Sequence, residues 1–218
     1  MVVFREHTLT GHSNKVMAAR FMGNSGGAGK VVSGSQDRTL KIWDLRSRSC
    51  AMTIFAGSVC NDVVATDWLA TGIISGHFDK KIRFWDARHQ KNAVSEVEFQ
   101  GKITSLSLSK DLKYLLACVR DDSLKLLDLQ MNQVLDSYSA DGFHVSCDWC
   151  RAAMSPDCSL VAAGSSDGCV YVWNVSSGRL EKVLREHGTS VIACTWQPGG
   201  NFLASCDKNK RIVLWSPV

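Results

Sequence analysis

The chain has 218 residues, 45% of them hydrophobic and 21% charged, with 25 Lys and Arg against 21 Asp and Glu for a net charge of +4. That balance supplies a core, excludes a disordered or collagen-like chain, and at a pI near 8.6 is too weakly basic to imply nucleic acid or a membrane surface. By length alone the chain is one large all-β unit or two small domains, and the single unit is preferred. No run reaches the roughly 18 uninterrupted apolar residues of a spanning helix, since Val63 to Ile74 is broken by Asp67. Met1 to Phe4 ends at Arg5 and Glu6, too short for a signal peptide, so a cytoplasmic chain is expected. Nine cysteines are an odd number for a disulfide framework, and Cys118, Cys169, Cys194 and Cys206 sit in apolar strand-like runs as small buried hydrophobes.

In chain order, the first element opens at Gly11-His12 and leads to Gly23-Asn24-Ser25-Gly26-Gly27-Ala28-Gly29-Lys30. That stretch imitates a phosphate-binding loop. The pattern, however, needs glycine where Asn24 stands and Ser or Thr where Val31 stands, and a strand rather than a helix follows. It is read as a loop between the first two strands. Val32-Ser33-Gly34-Ser35-Gln36-Asp37-Arg38-Thr39-Leu40-Lys41-Ile42-Trp43-Asp44 then returns 42 residues later as Ile74 to Asp86. It returns again as Leu116 to Asp128 and as Ala162 to Asn174, with Asp121 another 42 on and Asp167 a further 46. A fifth copy ends at Ile212-Val213-Leu214-Trp215, 42 after Trp173.

The copies span approximately 11–52, 57–98, 101–138, 141–184 and 187–218. Leu40 and Ile42 alternate with Lys41 and Trp43, the period of a strand whose two faces meet different surroundings. Gln36-Asp37, Ser155-Pro156-Asp157, Ser166-Asp167-Gly168 and Gln197-Pro198-Gly199-Gly200 supply tight turns. About four short strands per 42 residues, without a helical stretch, predict the blades of an all-β propeller.

In such a blade, a His in the entering turn, an Asp between the second and third strands, a strand hydroxyl and a third-strand indole can link by hydrogen bonds. His12, Asp37, Ser33 or Ser35, and Trp43 form that set in the first copy; Asp79, Trp85, Asp121, Asp167, Trp173, His187 and Trp215 occupy the same structural positions later. The aspartates are therefore scaffold residues, one per blade, and not a catalytic set. Gly57-Ser58, Gly101-Lys102 and Gly142-Phe143 replace Gly-His, Leu127 replaces Trp, and Asn209 takes the Asp position, so those blades rely on packing.

Cys147-Asp148-Trp149-Cys150 has the spacing of half a zinc site, but no second pair follows and no βαβ pattern surrounds it. It is read as neither a metal nor a redox site. With no Gly-x-Ser-x-Gly and no His-Glu-x-x-His, no catalytic residue, metal or cofactor is expected.

Function is sought where exposed residues break the scaffold pattern. On the face carrying the entry turns, the second and third copies place Asn61-Asp62, Phe78 and Lys102. Phe78 precedes a turn Asp where other copies carry Gln36, Arg120 and Ser166, making an apolar anchor with a cationic rim, unless it packs inward. Lys80, Lys81 and Arg83 read as a solvated strand face.

Gly11-His12 and Trp43-Asp44 resemble WD40 repeats. Phe55-Ala56-Gly57-Ser58-Val59-Cys60-Asn61-Asp62, Ser75-Gly76-His77-Phe78-Asp79-Lys80-Lys81-Ile82-Arg83-Phe84-Trp85-Asp86, Gly101-Lys102-Ile103-Thr104, Arg120-Asp121-Asp122-Ser123-Leu124-Lys125, Ala140-Asp141-Gly142-Phe143 and Val213-Leu214-Trp215 resemble the C-terminal propeller of the autophagy-related sixteen-like family, from about His7 to Trp215. The resemblance implies a non-catalytic autophagy scaffold. In that family an N-terminal region, absent from this chain, binds the ubiquitin-like conjugate that directs lipidation. The propeller meets membrane-protein tails and the vacuolar proton pump, with recruitment from the cytoplasm to phagophore or endolysosomal membranes. The family's functional positions match Asn61, Phe78 and Lys102. Family propellers have seven blades, so five copies read as an incomplete ring whose isolated form is expected to expose apolar edges and aggregate. The alternative is a general WD40 interaction module, such as the substrate receptor of a ubiquitin ligase.

Overall fold

The computed structural model describes residues 7–23, 29–66, 72–88 and 92–216. The imitation phosphate-binding loop falls largely on 24–28 and the initial Met-Val-Val-Phe run on 1–6, both outside the described residues.

All regular structure in the described residues is antiparallel sheet, arranged as five sheets in chain order. The first holds β1 (Val16–Met22), β2 (Lys30–Ser35), β3 (Thr39–Asp44) and β4 (Ser49–Phe55). The second holds β5 (Cys60–Ala65), β6 (Gly72–His77), β7 (Lys81–Asp86) and β8 (Ser95–Glu98). The third holds β9 (Ile103–Leu108), β10 (Tyr114–Val119), β11 (Ser123–Asp128) and β12 (Gln133–Tyr138). The fourth holds β13 (Ala153–Met154), β14 (Leu160–Gly164), β15 (Cys169–Asn174) and β16 (Leu180–Arg185). The fifth holds β17 (Val191–Trp196), β18 (Leu203–Asp207) and β19 (Ile212–Trp215). Each sheet is a meander in sequence order, and β1, β5, β9, β13 and β17 pack against one another in succession, which makes them the inner strands of propeller blades.

The core lies between blades and not within them. Ile73 packs with Ile42, Val32 and Leu40 of the first blade, whereas its neighbour Ile74 packs with Ile103, Leu115 and Val119 of the third. Leu115 and Leu116 divide in the same way between the second and fourth blades. Because successive side chains of a strand point to opposite faces and both faces are covered, the middle strands read as apolar runs and only the outer strands alternate with polar residues. β12 and β16 are accordingly mostly exposed.

Two local devices fix how closely blades approach. The inner strands β1, β5 and β17 each carry a register shift at their start, at Val16/Ala18, Cys60/Asp62 and Val191/Ala193. Opposite the starts of β5, β9 and β17 the preceding blade's second strand places a glycine. A Cβ on Gly34 would stand 2.3 Å from Cys60 Sγ, one on Gly76 2.5 Å from Ile103 Cγ2, and one on Gly164 2.4 Å from Val191 Cγ1. Glycine is needed there for close approach, since no side chain fits. The fourth blade departs from the others: β13 has two residues, and its place is largely taken by the irregular segment 139–152.

Candidate functional site

The first blade closes its hydrogen-bonded set fully. His12 Nδ1 lies 2.7 Å from Asp37 Oδ2, its Nε2 2.7 Å from Ser33 Oγ, and Trp43 donates its indole N–H to the same Ser33 at 2.8 Å. Burial alone would raise the Asp37 carboxyl, but hydrogen bonds from Thr39, His12 and the Ser13 and Thr39 amides hold it well below the ordinary carboxylate range. Ser33, not Ser35, is the shared hydroxyl; Ser35 instead accepts the Asp37 amide.

The fifth blade repeats the arrangement with a different acid. His187 bonds Ser205 at 2.7 Å and Asp207 at 3.0 Å, and Trp215 donates to Ser205 at 2.8 Å. Counting back from Trp215 had pointed to Asn209. The carboxylate comes from Asp207, at the end of β18 and two residues before the turn position, in a hairpin of unchanged length: Ser205 and Trp215 are ten residues apart, as are Ser33 and Trp43. Asp207 also accepts the amides of Asn209 and Arg211.

The second blade fills the histidine position from an unexpected direction. His77, on β6 itself, bonds Ser75 at 2.7 Å, and Trp85 donates to that Ser75 at 2.7 Å. His77 thus replaces the missing entry-turn histidine at Ser58, and burial, with Arg83 adding to it, lowers its pKa to about 4. Asp79 therefore meets no histidine and receives both terminal nitrogens of Arg83, at 3.1 and 2.6 Å. Arg83 also reaches Glu96, as does Lys81, so these two members of the basic group are paired with carboxylates.

In the third and fourth blades the aspartates turn to other partners. Asp121 accepts from Ser123 at 2.5 Å, and it is Asp122 that holds His144 and the Val145 amide of the next blade. Asp167 accepts from Tyr171 at 2.9 Å, and the Trp173 indole goes to the Ser139 carbonyl at 3.3 Å. Phe143 packs edge-on against Trp173 with ring centroids 5.1 Å apart, filling the space a histidine occupies elsewhere.

Of the three residues expected to meet a partner, two come together at the surface and one does not. Phe78 is 45% exposed, so it does not pack inward. Lys102, from the entry turn of the next blade, places Nζ 3.6 Å from the Phe78 ring centroid. Asn61 is buried: it is the extra residue of the β5 register shift, and its amide donates to the Ile103 carbonyl at 2.7 Å, joining the second blade to the third. It supports the floor beneath the surface instead of forming part of it.

The structure adds residues that the sequence reading did not single out for binding. Asp148 lies 3.7 Å from Lys102 Nζ and accepts from Arg120 at 2.8 Å, and Trp149 beside it is 55% exposed. Phe78, Lys102, Arg120 and Asp148 thus form a continuous strip over three blades on the face of the entry turns. The irregular, aromatic-containing Cys-Asp-Trp-Cys segment was the only sequence signal for Asp148 and Trp149. Beneath the strip, Asp62 is wholly buried and accepts from the Leu106 amide at 2.9 Å and from Arg151 at 2.8 Å, with Arg20 at 3.5 Å. One carboxylate thereby ties together four blades.

A family model described as WD domain, G-beta repeat matches residues 4–44, 139–174 and 178–216. The unmatched stretch is the second and third blades, where the entry-turn histidines are missing. The chain is 37% identical over 215 residues to Protein tipD of Dictyostelium discoideum, covering 96% of this chain and 34% of that protein. It is 46% identical over 167 residues to Protein Atg16l2 of Mus musculus, covering 76% of this chain and 26% of the relative. Against Autophagy-related protein 16 of Arabidopsis thaliana it is 36% identical over 211 residues, 96% of this chain and 41% of the relative. The chain therefore spans between about a quarter and two fifths of the length of these relatives.

Proposed function

We propose, since the chain belongs to the WD40 family and to its autophagy-related protein 16 branch, that it is the interaction module of a non-catalytic autophagy adaptor. The observation that carries this reading is the strip in which an exposed Phe78 ring lies under Lys102, and Lys102 in turn pairs with Asp148, which also holds Arg120. A rigid propeller presents such a surface without reorganisation, so little ordering cost opposes docking. An aromatic anchor flanked by two cations suits a peptide with an apolar side chain next to a carboxylate, which would displace Asp148 from Lys102 and Arg120. Partners of this kind are other autophagy proteins, the cytosolic tails of membrane proteins and subunits of the vacuolar proton pump. The ubiquitin-like conjugate would be bound by a region outside this chain. The module would then be recruited from the cytoplasm to phagophore or endolysosomal membranes, by protein contacts and not by a membrane span; no helix among the described residues is long and apolar enough to cross one.

The test is affinity capture with the wild-type chain, Phe78→Ala and Lys102→Ala, each shown by circular dichroism to keep its fold. Loss of proton-pump subunits or lipidation factors from both variants is the expected result. Capture that is the same for all three proteins refutes this site. Recovery of ubiquitin-ligase subunits in their place favours a substrate-receptor role.

A further inference from the structure

All nine cysteines are free thiols, and two groups among them differ chemically. Cys60, Cys118 and Cys194 are fully buried in apolar surroundings, and burial pushes their thiols up, Cys118 to about 12. Such thiols are inert. Cys147 and Cys150 differ in lying side by side, with Sγ atoms 3.1 Å apart across a turn in which the Cys150 amide donates to the Cys147 carbonyl. Ser146 Oγ stands 3.2 Å from Cys150 Sγ and 3.7 Å from Cys147 Sγ. The Cys147 thiol proton, shared toward Cys150, together with Ser146, holds the Cys150 thiol below its usual range against the opposing effect of burial. The Arg120 guanidinium, bonded to Asp148, is near enough to feel both sulfurs.

The two residues between these cysteines are Asp148 and Trp149. A disulfide requires sulfurs about 2.05 Å apart, so closing the pair draws them roughly 1 Å nearer. The turn must adjust through Asp148, the residue that neutralises Arg120 and Lys102 on the exposed strip.

We propose that Cys147 and Cys150 are a modification site for small peroxides, a dithiol that closes reversibly to a disulfide and thereby shifts Asp148 relative to Lys102 and Arg120. The Cys150 thiolate attacks one peroxide oxygen, the O–O bond breaks, and hydroxide leaves, giving a sulfenic acid. Cys147 sulfur then attacks Cys150 sulfur; its proton and the sulfenic hydroxyl depart as water. Two thiols and one hydrogen peroxide thus become one disulfide and two waters, the sulfurs losing two electrons to the peroxide. A thiol reductant reverses the step. Cys147 and Cys150 are 7% and 2% exposed, which disfavours a bulky disulfide as oxidant relative to a small peroxide. The pair lacks both a second ligand pair and a surrounding βαβ pattern, which speaks against a metal site and a thioredoxin-like site but not against a two-sulfur reaction. The redox chemistry does not depend on which partner the strip binds.

The test uses the wild-type chain treated with hydrogen peroxide, quenched in acid, alkylated in denaturant and digested with trypsin. The peptide spanning 126–151 holds only these two cysteines. It is expected unalkylated and two hydrogens lighter, and doubly alkylated when dithiothreitol precedes alkylation. Two free thiols after peroxide, or sulfinic and sulfonic acids that dithiothreitol does not reverse, overturns the proposal. In Cys147→Ser, Cys150 is expected as a trapped sulfenic acid adduct of dimedone. Acylation of Lys102 by an amine reagent should change at least twofold between the reduced and oxidised wild type. An unchanged Lys102 rate refutes the link to Asp148, and the wild-type arms stand even where the variant fails to fold.

Discussion

Replacing Asp62 tests whether the blades are held to one another by a buried charge. Asp62 is fully buried; one carboxylate oxygen accepts from the Leu106 amide at 2.9 Å and from Arg151 at 2.8 Å, while the other accepts from the Val63 amide at 3.0 Å. In Asp62→Ala the Leu106 and Val63 amides lose their acceptor, and a buried donor left unsatisfied costs about 1–3 kcal/mol. The Arg151 side chain is 34% exposed and can regain water, so its loss is discounted toward the value of a partly exposed pair, roughly 1 kcal/mol. For the two amides and Arg151 together the loss is about 3–7 kcal/mol, overlapping the range for removing one partner of a buried ion pair. Asp62→Asn keeps one carbonyl acceptor, which can serve the Leu106 amide, but puts an NH2 donor where the other oxygen accepted from Val63 and loses the charge that pairs with Arg151, for about 2–4 kcal/mol. Urea unfolding followed by intrinsic fluorescence and circular dichroism measures the two losses, and hydrogen exchange at the Leu106 amide reports the site directly. Faster exchange is expected in Asp62→Ala and little change in Asp62→Asn. Equal effects of the two substitutions on that exchange, or a loss below about 1 kcal/mol for alanine, would refute the reasoning.

Lowering the pH should destabilise the second blade through His77, whose pKa falls from 6.5 to about 4 on burial. The unfolded chain then takes up a proton that the folded chain refuses, so the contribution is whole above pH 6.5 and is lost progressively down to pH 4. It amounts to about 3 kcal/mol, and His77→Gln is expected to flatten that part of the stability-versus-pH curve. Gly164→Ala puts a methyl 2.4 Å from Val191 Cγ1 and 2.8 Å from its carbonyl, so urea denaturation should show a loss of about 1–3 kcal/mol. Phe78→Ala removes an exposed ring and its contact with Lys102, for at most about 1 kcal/mol in the same assay. A larger loss would make Phe78 a packing residue and not a contact residue.

The order of elements was legible in the chain itself. The return of Asp37 at Asp79 and Asp121 set the blade length, and the turn residues at Ser155-Pro156-Asp157 and Gln197-Pro198-Gly199-Gly200 close the turns expected of them, with Cys158 donating to Ser155 and Gly200 to Gln197. These are local features, decided by backbone preferences and by which residues can alternate faces. Residue roles were less legible. The Gly-His and Trp signature located the complete sets at His12 and Trp43 and at His187 and Trp215, but not the strand-borne His77 or the shift from Asn209 to Asp207. Geometry, not spacing, chooses among nearby polar residues, because a carboxylate at the strand end, as at Asp207, reaches the same histidine position as one two residues further into the turn, as at Asp37.

What only the tertiary structure decided is what joins one blade to the next. Asn61 reads as a surface residue in the sequence and is buried because a register shift turns it toward Ile103, 42 residues on. Asp62 meets Arg151 from 89 residues away. Phe78 and Lys102 were read together, yet Asp148, the carboxylate that completes their strip, comes from an irregular segment two blades further along the ring. Repeats are written by short-range periodicity, whereas charge pairing and burial at blade junctions depend on through-space distances that periodicity does not encode.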